Sequence, residues 1–200
     1  MIELKKNDVG DCMSRCEHCE SNKTRHVLSI SKDNSLHLCS DCYNELMAQE
    51  LGVDVELMID SFSLKDYEGT SRTFYVEKRL GPMGIFLEAN ENKEYGYRFA
   101  VHGELNCDQQ ELLNKLIAKA RRGTRKQYVK EGVFPSGQRY NTLATNQIIG
   151  LLECDKASDR IPLVIIDGKP FTWDQLGKML MSYEGFQIKI EIFDETDDVE

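Results

Sequence analysis

Two Cys-x-x-Cys pairs are the residues whose type and spacing could most clearly do chemistry in this chain. The first pair is Cys16 and Cys19, and the second pair is Cys39 and Cys42. Four thiolates arranged in two such pairs are typical of a closed, tetrahedral zinc site. A catalytic zinc ion would instead keep one coordination position open for water. We therefore predict that these four cysteines bind zinc and that the zinc is structural.

The alternative is that the four cysteines are reduced structural or redox thiols. A Cys-x-x-Cys redox centre needs only one pair beside a βαβ pattern, and this sequence lacks that pattern. The chain has seven cysteines, an odd number that argues against a disulfide framework. Residues 1–6 lack the apolar core of a signal peptide, and no apolar run is long enough to span a membrane. These patterns predict a cytoplasmic protein, where paired cysteines favour metal over disulfide.

Three further side chains lie close to the two pairs in the sequence. Cys12 could substitute as a ligand, although we favour a spare exposed thiol. His18 and His37 could contact the metal, although we favour polar loop or strand residues. Cys107 and Cys154 are isolated, and an isolated cysteine is more often a small buried residue than a nucleophile.

The pattern around the cysteines predicts a small zinc-binding module over residues 10–52. Residues 24–31 and 36–38 indicate two strands joined by turn residues at 33–35. Residues 42–51 favour a helix, and Gly52 is a suitable stop. A Cys pair, a hairpin, and a second pair that opens a helix is the treble-clef arrangement. So short a segment buries little apolar surface, so the metal would supply folding free energy.

Residues 60–122 predict an antiparallel β-meander followed by a helix. Apolar residues alternate with polar ones around positions 62–64, 74–76, 85–87 and 97–101, which indicates half-buried strands. Asp108 to Glu111 resembles a capping box at the start of a helix. Leu112, Leu113 and Leu116 begin an apolar stripe at helical spacing, and Gly123 is a plausible stop.

The remaining sequence predicts a connector at 123–141, an α+β region at 142–194 and an acidic tail at 195–200. Strands are predicted at 148–152 and 163–166, and Asp167-Gly168 is a hairpin signal. Thr172 could cap a helix that stops at Gly185. The alternation of residues 186–192 predicts a further strand. This region could share one sheet with residues 60–122. The predicted fold class is therefore α+β: a treble-clef module, then antiparallel sheets with two packed helices.

A stretch of basic residues suggests a second kind of binding. The net charge is −9, yet residues 115–130 contain no acidic residue. The candidate nucleic-acid-binding residues are Lys115, Lys119, Arg121, Arg122, Arg125, Lys126 and Lys130. Such a stretch could contact phosphates, although we favour an ordinary solvated face. A third interpretation is that the acidic C-terminal tail lies across the stretch and masks it.

The cysteine-bearing segment resembles bacterial four-cysteine modules. The residues that carry the resemblance are Cys16-Glu17-His18-Cys19 and His37-Leu38-Cys39-Ser40-Asp41-Cys42-Tyr43-Asn44-Glu45-Leu46. Similar modules are the N-terminal zinc domain of the ClpX unfoldase and the zinc-binding activator of the bacterial protein-arginine kinase. The resemblance implies zinc ligation by the four cysteines, and such modules dimerise or bind adaptors and partner proteins.

The rest of the chain resembles an uncharacterised bacterial family in which such a module precedes an α+β domain. The matching stretches are residues 73–79, 96–99 and 165–170. The resemblance supports the architecture and brings no activity with it. The chain lacks the ATPase motif of an unfoldase.

Together these features predict a zinc-binding, non-catalytic adaptor or regulatory protein that contacts a protein partner. No P-loop, His-Glu-x-x-His or Gly-x-Ser-x-Gly motif is present. The first alternative is a nucleic-acid-binding protein that uses residues 115–130, and the second is an enzyme with a site in the C-terminal α+β region. No membrane partner is expected, and a homodimer is an open alternative to a monomer.

Overall fold

The structure, a computed structural model, describes residues 15–20, 24–31 and 34–199 of the chain. Within these residues it confirms the predicted α+β class, with α-helices and antiparallel sheets. No helix in the described part is long and apolar enough to cross a membrane.

The N-terminal part has the predicted order of elements. Strand β1 (His26–Ser31) pairs antiparallel with β2 (Asn34–Leu38), and helix α1 (Ser40–Leu51) follows at once. The helix ends at Gly52, whose φ of 66° is the left-handed conformation that glycine adopts easily. The hairpin therefore lies between the two cysteine pairs, and the second pair opens the helix, as the treble-clef prediction requires.

The middle part is an antiparallel meander covered by one helix, which confirms the prediction. The elements are β3 (Ser61–Lys65), β4 (Ser71–Gly81), β5 (Gly84–Glu91), β6 (Arg98–Gly103) and α2 (Gln109–Arg125). The strands are ordered β3-β4-β5-β6. The side chain of Asp108 accepts a hydrogen bond from the backbone N–H of Glu111 at 2.8 Å, so the predicted start of α2 is correct.

The predicted stop of α2 at Gly123 is wrong, because the helix continues to Arg125. Gly123 lies directly against the ring of Phe99, and a Cβ atom at this position would come within 2.4 Å of that ring. The Thr124 hydroxyl donates to the carbonyl of Ala120 at 2.9 Å inside the same turn. Close packing against the sheet, and not helix termination, therefore explains the glycine.

The C-terminal part contains two small antiparallel sheets and a short helix. Its elements are β7 (Val129–Val133), β8 (Arg139–Leu143), β9 (Leu151–Asp155), β10 (Ser158–Ile166), β11 (Lys169–Phe171) and α3 (Trp173–Leu180), then a 3₁₀ turn (Met181–Tyr183). Strands β7 and β8 form one hairpin, and β11-β10-β9 form a separate sheet. The residues predicted as a connector at 123–141 thus hold the end of α2, all of β7, the turn after it and the start of β8.

Some predictions for the C-terminal part are confirmed and others are wrong. Thr172 caps α3 in a reciprocal capping box with Gln175. The turn at Asp167 and Gly168 joins β10 to β11, as predicted. The strand predicted at 148–152 begins only at Leu151. The two regions do not share a sheet, since the sheet of β3–β6 ends at β6 in the described chain.

The strand predicted at 186–192 is absent from the described structure. No ladder of hydrogen bonds joins this segment to another strand, and its residues are exposed. An alternating pattern forms a strand only where a neighbouring strand can satisfy its backbone groups. In the described part of the chain, residues 186–192 have the alternating pattern but no neighbouring strand.

The buried apolar residues form two cores. The first core joins α1 and the cysteine cluster to the meander and α2, and it includes Leu38, Tyr43, Phe74, Leu80 and Leu116. The second core lies among β7–β11 and α3 and includes Val129, Leu143, Val164, Ile166 and Met179. The cysteine-bearing module is therefore packed into the meander's core and does not have a core of its own.

Candidate metal centre

Four cysteine sulfurs meet at one point beside the start of α1. The Sγ atoms of Cys16, Cys19, Cys39 and Cys42 all lie within 4.8 Å of one another. The Cys19 and Cys39 sulfurs are 3.8 Å apart, and none of the four cysteines forms a disulfide bond. Cys16, Cys39 and Cys42 are buried, whereas Cys19 is exposed. The cluster can hold a metal ion with its outer side near the surface.

Local backbone contacts hold the first cysteine pair against the hairpin. Between the two cysteines the chain turns, and the N–H of Glu20 donates to the carbonyl of Cys16 at 2.8 Å. The N–H of Glu17 donates to the carbonyl of His37 at 2.9 Å, and the N–H of His37 donates to the Glu17 carboxylate at 2.7 Å. These reciprocal bonds place Cys16 beside Cys39, which directly follows β2.

The surroundings shift the pKa values of Cys16 and Cys42 in opposite directions. Burial opposes ionisation of Cys16, but backbone N–H groups of Cys19, Cys39 and His18 donate to its sulfur and hold its pKa below the ordinary value. Burial and the adjacent sulfurs raise the pKa of Cys42 well above its ordinary value. Hydrogen bonds therefore favour the thiolate form of Cys16. Burial and the neighbouring sulfurs disfavour a thiolate at Cys42 unless a metal cation is bound between the sulfurs.

Of the side chains near the pairs in sequence, only the four cysteines join the cluster among the described residues. His18 is exposed, and His37 contributes its backbone to the contact with Glu17. Cys12 lies outside the described residues. His26 stacks on Tyr43 with ring centroids 4.5 Å apart, so it packs against α1.

A residue that the sequence analysis missed, Asn44, attaches the cluster's helix to the meander. Strand β3 pairs only with Ser71 to Tyr75, which leaves one edge of β4 uncovered beyond that point. The Asn44 amide covers that edge: its Nδ2 donates to the carbonyl of Lys78 at 2.8 Å, and its Oδ1 accepts from the N–H of Leu80 at 2.9 Å. Nothing local in the sequence signals this contact, since the partners are 34 and 36 residues away.

The seven basic residues proposed for nucleic acid do not form one helical face. Six lie on or just after α2, whereas Lys130 lies on β7. Lys115 pairs with Glu111 at 3.1 Å, and Lys126 donates to the Gln147 side chain at 2.6 Å. Arg121, Arg125 and Lys130 are exposed.

The acidic tail contacts the centre of this basic stretch. The Lys119 ammonium donates to the backbone carbonyls of Glu195 and Asp197 at 2.8 and 2.6 Å, and Arg122 pairs with Asp198 at 2.7 Å. Lys119 also donates to the carbonyl of Ala100 on β6 at 2.9 Å. The tail therefore occupies two of the basic residues that a phosphate backbone would need.

Removing the Lys119 ammonium is expected to release the tail. Lys119→Ala removes both tail hydrogen bonds, each of which contributes about 1 kcal/mol. We expect cleavage after Glu195 by a glutamate-specific protease to become at least about fivefold faster. Lys115→Ala is the matched control, because Lys115 contacts Glu111 and not the tail. Equal cleavage rates in both variants and the wild type would contradict the contact.

The carboxylate of Asp167, in the turn between β10 and β11, is buried beside the start of β7. Its Oδ2 accepts from the N–H groups of Tyr128 and Val129 at 2.9 and 2.8 Å, whereas its Oδ1 has no partner. A cavity of about 10 Å³ adjoins it, which is the space of roughly one water molecule. Gly168 lies against the ring of Tyr97, with room only for a glycine. This arrangement anchors the turn.

Burial gives Asp167 a pH-dependent effect on stability. Burial raises its pKa above the ordinary 3.8, and the N–H groups of Val129 and Tyr128 offset this only in part. The folded state thus binds this proton more tightly than the unfolded chain. The resulting stabilisation is complete below the ordinary pKa and is lost as pH rises through the raised pKa.

We expect Asp167→Asn to remove this dependence. The free energy of unfolding of the wild type, minus that of the variant, should fall as pH rises from about 3.5 to about 7. Urea unfolding of both proteins at several pH values measures this difference in the free energy of unfolding. Asp60→Asn, at an exposed position, is the control for the substitution itself. A difference for Asp167→Asn that does not change with pH would contradict the prediction.

The fold and the cluster define an α+β protein with four cysteines, three of them in its first core, placed so that they could hold a metal ion. Three family models match successive parts of the chain, and each is described as a domain of unknown function. They are DUF7685 at residues 15–54, DUF7686 at 56–125 and DUF7713 at 128–197. No curated protein and no solved structure matches the chain. The cysteine cluster falls within the first match.

Proposed function

We propose that this protein is a zinc-binding, non-catalytic adaptor or regulatory protein that acts in the cytoplasm by contact with a protein partner. The observation that carries the proposal is the four-sulfur cluster itself. Four protein sulfurs would complete a tetrahedral shell and leave no position for substrate or water. A metal so enclosed stabilises a fold, and the function then depends on the surface.

The donor set and its spacing fit zinc. Sulfurs placed about 2.3 Å from one tetrahedral ion lie about 3.8 Å from each other. The Cys19 and Cys39 sulfurs are 3.8 Å apart. Hydrogen bonds from backbone N–H groups to the Cys16 sulfur are the outer contacts that orient thiolate ligands. Cys16, Cys19, Cys39 and Cys42 would hold the ion, which would supply folding free energy and no reaction step.

Exposed apolar residues support the contact part of the proposal. The segment between α1 and β3 exposes Val55, Leu57 and Ile59, and the Leu57 side chain is almost fully in solvent. Beside it lies an open depression of about 400 Å³ formed by the end of α1 and residues 52–55. Exposed apolar groups that lie together favour a protein partner over a small substrate.

Affinity purification of the intact chain from its native cells tests the proposal. Half of the extract is treated with nuclease, and the bound proteins are identified by mass spectrometry. We expect a stoichiometric protein that survives nuclease and that rebinds when both proteins are purified. Partners lost with nuclease would support the alternative that residues 115–130 bind nucleic acid. Turnover of a substrate that depends on a single side chain would support the enzyme alternative.

A further inference from the structure

The chain carries an exposed apolar arm, defined here as residues 186–193. Its apolar residues Phe186, Ile188, Ile190 and Ile192 are 74%, 70%, 67% and 75% exposed. None of the four belongs to either core. Four large apolar side chains in a row are costly to leave in water, since burying one contributes roughly 1.5–3 kcal/mol. The arm therefore has the character of a surface that is covered in the working protein.

Contacts at both ends attach the arm to the rest of the chain. At its start, the N–H of Phe186 donates to the carbonyl of Tyr183 at 3.0 Å, and the Tyr183 hydroxyl donates to the carbonyl of Thr145. After its end, Glu195 is bound by Lys119 and pairs with Arg98. An arm that is attached at both ends loses less conformational entropy when it pairs.

The arm also lacks partners for its backbone. No ladder of hydrogen bonds reaches residues 187–193 in the described structure. Alternation places the isoleucines on one face and Gln187, Lys189 and Glu191 on the other. Lys189 and Glu191 form an ion pair at 2.7 Å within the arm. A second strand would satisfy the backbone and cover the isoleucine face together.

We propose that the arm pairs antiparallel with the arm of a second copy of this chain, about a two-fold axis at Ile190. In this register Lys189 lies opposite the partner's Glu191, and Glu191 lies opposite the partner's Lys189. Ile188 lies opposite the partner's Ile192, and Ile190 meets the partner's Ile190. Opposite charges and isoleucines therefore match across residues 188–192 of the two arms, in the isologous manner of a two-fold contact.

Neighbouring registers are disfavoured by the same residues. Centring the pair on Lys189 places two ammonium groups opposite each other, and centring it on Glu191 does the same with two carboxylates. A parallel, in-register pair places lysine opposite lysine and glutamate opposite glutamate. A shift by one residue turns the apolar face of one arm toward the polar face of the other. The charge pattern thus selects one register and identifies a second copy as the occupant.

This interface is independent of the zinc site, so the two proposals can fail separately. The intact protein should show a monomer–dimer equilibrium in sedimentation, approaching twice the 23.0 kDa of one chain. We expect a dissociation constant on the order of 10 µM. Ile190→Lys should raise that constant at least about 30-fold, since two charges would meet on the axis. Ile161→Lys, an exposed isoleucine on β10, is the matched control and should dimerise normally.

Mixing charge variants tests the register itself. Lys189→Glu alone and Glu191→Lys alone each oppose like charges twice and should dimerise more weakly than the wild type. An equimolar mixture of the two restores both opposite-charge pairs and should form a heterodimer. Its dissociation constant should be at least about threefold lower than that of either homodimer. A wild-type monomer at all concentrations would overturn the proposal and assign the arm to another protein. A dimer indifferent to Ile190→Lys, or a mixture no tighter than its components, would overturn it as well.

Discussion

Cys39→Ser is expected to release the metal and to destabilise the whole first core. Cys39 directly precedes α1, and its sulfur is one of the four in the cysteine cluster. Structural zinc contributes roughly 10–16 kcal/mol to the folding of small zinc modules, so losing one ligand should cost more than about 4 kcal/mol here. Because Leu38 and Tyr43 share a core with Phe74, the loss should extend into the meander.

Metal analysis and thermal unfolding of the purified protein measure this effect together. The wild type should contain one zinc ion per chain, and the variant should contain much less and unfold at a lower temperature. Cys154→Ser is the matched control, because Cys154 is an exposed cysteine on β9. Near-wild-type zinc content in Cys39→Ser would show that Cys39 is not a ligand.

Asn44→Ala is expected to detach α1 from the meander while leaving every cysteine in place. The substitution leaves the N–H of Leu80 and the carbonyl of Lys78 without partners at the uncovered edge of β4. Leu80 is fully buried, so water cannot replace the lost bond there without opening the core. Each unsatisfied buried group costs about 1–3 kcal/mol, and the sum should be about 2–4 kcal/mol.

The matched control for Asn44→Ala lies on the same helix. Gln49→Ala, at an exposed position of α1, should change the free energy of unfolding by less than about 0.5 kcal/mol. Urea unfolding of the zinc-loaded proteins compares the two, with zinc content checked in each. A loss below about 1 kcal/mol in Asn44→Ala would mean that the shared core, and not this amide, attaches the helix.

The two variants distinguish the contribution of the metal from that of the attachment to β4 in stabilising the cysteine-bearing module. If the metal alone orders residues 15–52, Cys39→Ser should be severe and Asn44→Ala mild. If the attachment to β4 contributes as the structure indicates, Asn44→Ala should weaken the first core even with zinc bound. Zinc affinity in the Asn44 variant then reports how far the meander pre-organises the cysteines.

Much of the fold could be predicted from the sequence because its signals are local. The capping residues Asp108 and Thr172 begin their helices because a side chain reaches an N–H two or three residues away. The turn at Asp167 and Gly168 depends on its own two residues in the same way. The meander follows from alternation within single strands.

Other features could not be predicted because their causes are distant in sequence. Gly123 has the composition of a helix stop, yet it lies inside α2 because Phe99 packs on it. The segment 186–192 has the pattern of a strand, yet the described chain offers it no neighbour. The basic stretch by itself allows several interpretations. Its contact with the acidic tail is made by Lys119 and residues that lie 76 and 78 positions further along the chain.

The sequence by itself determined the local units: two cysteine knuckles, a hairpin, a helix that opens at the second pair, and an antiparallel meander. It did so because spacing over two to four residues sets turns, caps and strand faces. Only the tertiary structure decided that the cysteine module shares a core with the meander through Asn44, that the tail lies on Lys119, and that the arm is left open. Those outcomes depend on contacts between residues dozens of positions apart, which no local pattern encodes.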